Sequence, residues 1–161
     1  MPVPQFIVDL RKRIGQDLLW LPGLSAVVLH EDGQILLGRR SDTGKWAVIS
    51  GIPEPGEEPS AAIEREILEE TGVQARVRTL ASVRTTPPII HANGDRAQYL
   101  NLNFIADYRS GHAHVGDDES LEVGWFHPET LPEPMTASSL ERIQDAVTYL
   151  NDPAGGALLT R

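Results

Sequence analysis

The sequence predicts an α+β fold in which a mixed β-sheet is sandwiched between helices. Segments with helical and with strand spacing are interleaved along the chain, without the regular alternation of a parallel α/β sheet. The 161 residues suit one domain and are enough to bury a hydrophobic core, and 40% of them are hydrophobic. We therefore expect a single domain over residues 1–161, with an N-terminal helix and lead-in at 1–20. The Pro- and Gly-rich end predicts a flexible tail at 152–161.

Three helices are predicted from amphipathic spacing and from capping residues. Apolar side chains recur at helical intervals over residues 5–15. The second helix begins at Pro59, which the first turn of a helix tolerates, and ends before Gly72, a common C-cap residue. The third covers 136–150, where the side chain of Thr136 can cap free backbone N–H groups.

The strands are predicted from apolar and alternating segments that lie between turn signals. Asp32-Gly33 and Asn93-Gly94-Asp95 are typical of tight turns, so each is expected to connect two strands. A loop rich in Gly and Pro follows the third predicted strand. The predicted strands cover 24–30, 34–38, 46–50, 74–84, 97–108 and 121–126.

The composition excludes several classes of protein. Without cysteine the chain has no disulfide scaffold, no Cys-ligated zinc site and no thiol nucleophile. No apolar run approaches the roughly 18 residues of a membrane span, and the first residues lack the order of a signal peptide. We therefore expect a cytoplasmic protein that does not contact a membrane. A net charge of −9 disfavours nucleic acid as a partner.

The negative charge is concentrated in two short segments. Residues 54–70 carry a net charge of −6 and residues 117–122 a net charge of −4, so the rest of the chain is nearly neutral. Within the first segment, Glu66, Glu69 and Glu70 share an arc about 100° wide on a helical wheel. This cluster indicates either a solvated helix face or a binding site for a cation.

The apolar neighbours of these acids favour the cation. Ile63 and Ile67 lie beside the acids on the wheel, and Ala61 and Leu68 lie on its far side. We therefore expect this helix to be covered on two sides, with the acids at the edge of a core. Clustered carboxylates repel one another and need a cation, and oxygen ligands favour Mg²⁺, Mn²⁺ or Ca²⁺.

The segment that contains this helix, residues 51–73 (GIPEPGEEPSAAIEREILEETGV), resembles the Nudix box. Nine defined positions at fixed spacing argue against a chance match on a surface helix. One departure is Ser50, where the family often has a second glycine before the box. The resemblance implies the Nudix fold. The matching positions are Gly51, Glu57, Arg65, Glu66, Ile67, Glu69, Glu70, Gly72 and Val73.

What the resemblance implies is an enzyme that hydrolyses the pyrophosphate bond of a nucleotide-type small molecule with Mg²⁺ or Mn²⁺. The substrate would be a nucleoside diphosphate linked to another moiety, of the ADP-sugar or the nucleoside triphosphate type. Carried over by position, Glu66 and Glu70 would be the main metal ligands. The backbone carbonyl of Ser50 or Gly51 would complete the shell.

The resemblance also assigns catalytic roles within the box. Glu69 would hold a further ion or the attacking water, and Arg65 would orient Glu57 and the neighbouring carboxylate. In the downstream acidic segment, Glu119 is the candidate for a further ligand or the general base, and Asp118 for a substrate contact. The alternative for these two acids is a solvated loop before a strand.

Arg39 and Arg40 are candidates for binding a substrate phosphate, because the guanidinium fork matches its oxygens. Side chains alternate along a strand, so only one of the two is expected to face the cleft. The alternative is that Arg39 or Arg40 is a surface residue.

The sequence is also compatible with two other functions and with a homodimer. A non-catalytic Nudix-fold sensor would bind a nucleotide without turnover, and an RNA 5′-end pyrophosphohydrolase would need a basic face beside the site. The apolar residues 18–21 predict either a homodimer contact or a core strand.

Overall fold

The computed structural model describes residues 3–91 and 93–159, and it has the predicted α+β architecture. Within these residues, nine strands form one mixed sheet, which is accompanied by three α-helices. The helices are α1 (Gln5–Ile14), α2 (Pro59–Thr71) and α3 (Ala137–Asn151). The strands are β1 (Leu19–Leu29), β2 (Ile35–Arg40), β3 (Trp46–Ala47), β4 (Ile49–Gly51), β5 (Val73–Thr85), β6 (Ile89–Ile90), β7 (Arg96–Gly111), β8 (Ser120–Phe126) and β9 (Leu158–Leu159).

Strand β1 lies at the centre of the sheet. It pairs in parallel with β7, from Leu19 opposite Ala97 to Leu29 opposite Asp107, and antiparallel with β2 and β4. Beyond β7 the sheet continues antiparallel to β5, and β2 pairs antiparallel with β3 and β8. This parallel pair among antiparallel neighbours makes the sheet mixed, as predicted.

The two faces of β1 pack against different helices, because successive side chains of a strand point to opposite sides. The face that carries Leu24 and Val28 belongs to the core under α2. The face that carries Val27 belongs to the core under α3, together with Ile143 of that helix. The sheet is therefore sandwiched between α2 and α3.

Helix α2 has the predicted bounds and the predicted end. Gly72 adopts a left-handed conformation with φ 68°, and its N–H donates to the carbonyl of Leu68 at 2.9 Å. The expectation that the helix is covered on two sides is wrong, since Leu68 is 45% exposed and Ala61 is also exposed. Only one side is covered, and Glu66 lies on it, fully buried.

The predicted strand 46–50 is divided into β3 and β4 by Val48. The backbone N–H of Val48 donates to the hydroxyl of Ser139 in α3 at 3.1 Å, so it does not take part in the ladder. Thr136 caps α3 as predicted, with its side chain accepting from the Ser139 N–H. The hydrogen bond between Val48 and Ser139 therefore connects the segment between β3 and β4 to α3.

The two ends of the described chain differ from a simple lead-in and tail. Strand β1 begins at Leu19, because pairing with β7 extends it back into the apolar segment. Where the composition predicts a flexible tail, the structure has a 3₁₀ turn at Pro153–Gly155, and β9 pairs in parallel with β5. No helix among the described residues has the length and apolar character needed to cross a membrane.

Candidate metal and active site

The centre of the site is the carboxylate of Glu66, which is enclosed between α2 and β4. Glu66 is 0% exposed, and neither of its carboxylate oxygens has a hydrogen-bond partner among residues 3–91 and 93–159. The Nη2 of Arg65 lies 3.2 Å from Oε1, which is ion-pair distance without the alignment of a hydrogen bond. A buried carboxylate with unused lone pairs is costly unless a ligand satisfies them.

Gly51 makes this close approach of helix and strand feasible. A Cβ placed at Gly51 would lie 2.4 Å from the Cδ of Glu66, so any other residue would displace the carboxylate. The ladder puts Gly51 opposite Leu24, on the face under α2, and Ser50 opposite Ser25, on the face under α3. Ser50 and Gly51 therefore lie on opposite faces of the sheet, and Gly51 lies on the face that Glu66 approaches.

Glu70 is the second buried carboxyl group, with 7% exposure. Burial, followed by the charges of Glu66 and Asp117, raises its pKa to about 8. Burial is also the main reason that the pKa of Glu66 is raised to about 7, with Arg65 opposing the shift. Both carboxyls are unstable as anions in this environment, which is the condition that a bound cation would reverse.

Arg65 organises the acids on the outer side of the site. Its Nε and Nη2 donate to the two oxygens of Glu57 at 2.9 and 3.1 Å, and its Nη1 donates to Glu69 at 3.1 Å. Glu57 also accepts from the backbone N–H of Glu54 at 3.0 Å. These hydrogen bonds lower the pKa of Glu57 and hold it as an anion. The structure thus brings Arg65 together with Glu57, Glu69 and, at 3.2 Å, Glu66.

A loop at 112–118, here called the strap, crosses the C-terminal end of α2. The N–H of His114 donates to the carbonyl of Thr71 at 2.9 Å, and the N–H of Gly116 donates to the carbonyl of Glu70 at 2.9 Å. The strap carries Asp117, whose negative charge contributes to raising the pKa of Glu70. Asp117 belongs to the downstream acidic segment, from which the sequence analysis chose Glu119 and Asp118 instead.

The other downstream acids have different surroundings. The backbone N–H of Glu119 donates to the carboxylate of Asp117 at 3.0 Å, and its carbonyl accepts from Ser41 at 2.7 Å. Asp118 is exposed. The assignment of Glu119 as the general base stays a prediction, and Asp117 joins it as a candidate.

The two arginines of β2 are placed differently. Arg39 donates to Glu122 of β8 at 2.6 Å and to the carbonyl of Gly44 at 3.1 Å. Arg40 is bidentate to Asp42, at 2.9 and 2.6 Å, and its charge also acts on Glu70. Arg40 is therefore the one of the pair whose charge reaches the buried carboxyls.

The donor set fits a divalent metal ion that prefers oxygen. Glu66 and Glu70 supply buried carboxylate oxygens, and β4 supplies backbone carbonyls beside them. Among residues 3–91 and 93–159, no three acidic or histidine side chains already converge as a metal cluster. Arg65 forms hydrogen bonds with Glu57 and Glu69, so Glu66 and Glu70 are the main candidates for metal ligands.

Comparison with known proteins agrees with this geometry. A family model described as NUDIX domain matches residues 20–146. A MutT-like protein of Streptomyces ambofaciens is 32% identical over 77% of this chain and 75% of its own length. The 8-oxo-dGDP phosphatase NUDT18 of Homo sapiens is 30% identical over 97% of this chain, which spans 46% of that relative. The NAD-capped RNA hydrolase NudC of Salmonella paratyphi C is 33% identical over 66% of this chain and 39% of the relative.

A solved structure gives the same result for the fold. The MutT Nudix hydrolase of Burkholderia pseudomallei superposes with a TM-score of 0.66 at 29% identity, covering 79% of this chain and 98% of that one. The family model and the named relatives identify the class of protein as hydrolases of phosphoanhydride bonds. The chain belongs to the Nudix hydrolase family and is a pyrophosphohydrolase.

Proposed function

We propose that this enzyme hydrolyses the pyrophosphate bond of a nucleoside diphosphate linked to another moiety, of the ADP-sugar or nucleoside triphosphate type, and that Mg²⁺ or Mn²⁺ binds at Glu66 and Glu70. The observation that carries this proposal is the buried carboxylate of Glu66, whose two oxygens have no hydrogen-bond partner in the described part of the chain. Carbonyls of Ser50 or Gly51 would complete the ligand set. A bound divalent ion would neutralise phosphate charge and lower the pKa of a water molecule.

The side chains of this chain have distinct roles in the proposal. Arg65 holds Glu57 and Glu69 at fixed distances, so that Glu69 is placed to orient the attacking water. Asp117 or Glu119 accepts its proton at the end of the strap. Arg40, whose charge acts on Glu70, contacts a substrate phosphate, and Arg39 and Asp118 are further candidates for substrate contacts.

The test is a panel of nucleotides incubated with the protein and Mg²⁺, read by the identity of the products. We expect release of a nucleoside monophosphate, phosphate or pyrophosphate, and a loss of about 10³-fold or more in kcat for Glu70→Gln. Glu31→Gln is a matched control, because Glu31 is an exposed acid in the β1–β2 turn. Retention of full activity by Glu70→Gln, or no turnover of any nucleotide, would contradict the proposal.

Similarity to the NAD-capped RNA hydrolase NudC favours RNA 5′-end hydrolysis as a second candidate. The same panel tests it when short RNAs with a 5′-triphosphate or an NAD cap are included. Tight binding of a nucleotide without any product would instead indicate the sensor. Trp20, in β1, is 54% exposed and favours a homodimer, which a sedimentation mass equal to two chains would confirm.

A further inference from the structure

Two arginines lie at the interface between the sheet and α3, and only one of them is neutralised. Arg84 of β5 donates to both oxygens of Asp145, at 2.6 and 2.7 Å. Arg142 lies one turn before Asp145, and its guanidinium donates from Nη2 to the amide oxygen of Asn101 at 2.7 Å. Among the residues that the structure describes, no carboxylate forms an ion pair with Arg142. A single N–H of its five is thus used by a neutral acceptor.

Arg142 is held in place by a closed set of hydrogen bonds. The amide of Asn101 donates to Ser25 at 2.9 Å, Ser25 donates to the amide oxygen of Asn103 at 3.0 Å, and Asn103 donates to the backbone carbonyl of Arg142 at 3.0 Å. Ser25 and the two asparagines are buried. All of these groups are uncharged, so the network fixes the position of the guanidinium without balancing its charge.

The surroundings of Arg142 disfavour its positive charge. Burial, followed by the nearby charge of Arg40, lowers the pKa of Arg142 to about 10, with Glu141 opposing the shift. The guanidinium is still charged at neutral pH. A half-buried cation under the influence of a second positive charge is stabilised when an anion binds to it.

The hydrogen-bond network of Arg142 reaches the strand pair that carries the glycine beside Glu66. Ser25 of this network lies opposite Ser50 in the ladder, one residue before Gly51. The charge of Arg40 acts both on Glu70 and on Arg142, so both groups lie within electrostatic range of Arg40. A nucleotide bound at Glu66 and Glu70 would reach Arg142 by extending around β4 to the α3 side of the sheet.

We propose that Arg142, positioned by Asn101, binds a phosphate group of the nucleotide substrate that the metal ion does not hold. This inference rests on the proposed function for the identity of the substrate. It adds a binding residue on α3, outside the Nudix box, and it divides substrate recognition between the two faces of the sheet. The guanidinium fork matches two phosphate oxygens and uses donors that the protein leaves free.

The first test measures anion binding without metal and without turnover. Pyrophosphate is titrated calorimetrically into the protein in EDTA, so that the result does not depend on hydrolysis. We expect wild-type protein to bind pyrophosphate, Arg142→Gln to bind it about tenfold or more weakly, and Arg142→Lys to lie between them. Arg76→Gln is the matched control, because Arg76 is an exposed arginine of β5 that pairs with Glu64. Equal affinity of wild-type protein and Arg142→Gln, or no binding by the wild type, would overturn the proposal.

The second test separates binding from a structural role. Without ligand, Arg142→Gln removes a cation that has no counter-charge but also the hydrogen bond to buried Asn101, and the two effects on stability oppose each other. We therefore expect the melting temperature of Arg142→Gln to lie within about 5 °C of the wild type, and a larger fall would show that Arg142 is structural and would overturn the proposal. In the hydrolysis assay the same variant should raise KM about tenfold with kcat within about threefold. A loss confined to kcat would contradict the inference, while loss of all wild-type turnover would contradict the proposed function alone.

Discussion

Glu66 and Glu70 are carboxyl groups held where ionisation is unfavourable, and this has a measurable effect on stability. Their pKa values of about 7 and about 8 lie above the ordinary value of 4.5, so the folded chain binds more protons than the unfolded chain between these limits. The stabilisation is complete below the ordinary pKa and is lost as the pH rises through the folded pKa values. We predict that the melting temperature in EDTA falls between about pH 5 and about pH 8.

Metal binding should reverse this trend, because a cation favours the ionised carboxyls. Mg²⁺ is expected to raise the melting temperature more at about pH 8 than at about pH 5. The double variant Glu66→Gln with Glu70→Gln serves as the control and should flatten both dependences. A melting temperature in EDTA that rises over this range in the wild type would contradict the prediction.

Gly51 gives a second prediction at the scale of the residue. A Cβ at this position would lie 2.4 Å from the Cδ of Glu66, so Gly51→Ala must displace the carboxylate or the strand. We expect a loss of about 1–3 kcal/mol in the free energy of unfolding, together with weaker Mg²⁺ binding. Denaturant unfolding and Mg²⁺ titration measure the two effects.

A double-mutant cycle shows whether this cost arises at Glu66. In a Glu66→Ala background the side chain that Gly51→Ala would meet is absent, so the added methyl group should cost clearly less. Equal costs in the two backgrounds would place the strain elsewhere in the loop.

Among the elements, the strap at 112–118 connects the downstream acids to α2. A Cβ at Gly116 would lie 2.0 Å from the carbonyl oxygen of Glu69, so Gly116→Ala should lift the strap from the helix end. We expect a loss of about 1–3 kcal/mol in stability and faster exchange of the amide at position 116, which donates to the carbonyl of Glu70. His112→Ala, at an exposed strap residue, is the control and should leave the exchange unchanged. Unchanged exchange in Gly116→Ala would show that the strap is not held by this contact.

The predicted elements agree with the structure where the signal is local in sequence. The bounds of α2 follow from Pro59 and Gly72, and the spacing of its acids identifies the box before any fold is known. The sequence could not predict which side of α2 is buried, because Ile67 and Leu68 are equally apolar on a helical wheel. In the structure only Ile67 packs into the core that contains β1 residues, whereas Leu68 is exposed. The 3₁₀ turn and β9 at the C-terminal end were missed because Pro and Gly there fit a loop equally well.

At the scale of the whole molecule, the residues that the sequence analysis did not choose depend on contacts between distant segments. Asp117 acts on Glu70 because the strap docks on the end of α2. Arg142 is one polar residue of an amphipathic helix, and its hydrogen bond to Asn101 follows from the packing of α3 on β7. Long-range pairing of this kind has no short-range signature, so the box was predictable and its surroundings were not.

Because the sheet separates two cores, the site should respond differently to cavities on its two sides. Ile67 and Ile143 are both buried, one under α2 and the other under α3. Substitution of either by alanine is expected to cost about 2–5 kcal/mol in the free energy of unfolding. Ile67 is the residue after Glu66, so Ile67→Ala should also weaken Mg²⁺ binding. Ile143 follows Arg142, so Ile143→Ala should retain Mg²⁺ affinity and raise KM for the nucleotide.

Leu68→Ala is the control for this pair, because Leu68 lies on the exposed side of α2 and should change stability by less than about 1 kcal/mol. Denaturant unfolding, Mg²⁺ titration and steady-state kinetics on the three variants separate the effects. Parallel losses of metal affinity and KM in Ile67→Ala and Ile143→Ala would mean that the sheet transmits strain between its faces. Separate losses would mean that the metal centre and the nucleotide subsite are held by different cores, joined only at β4.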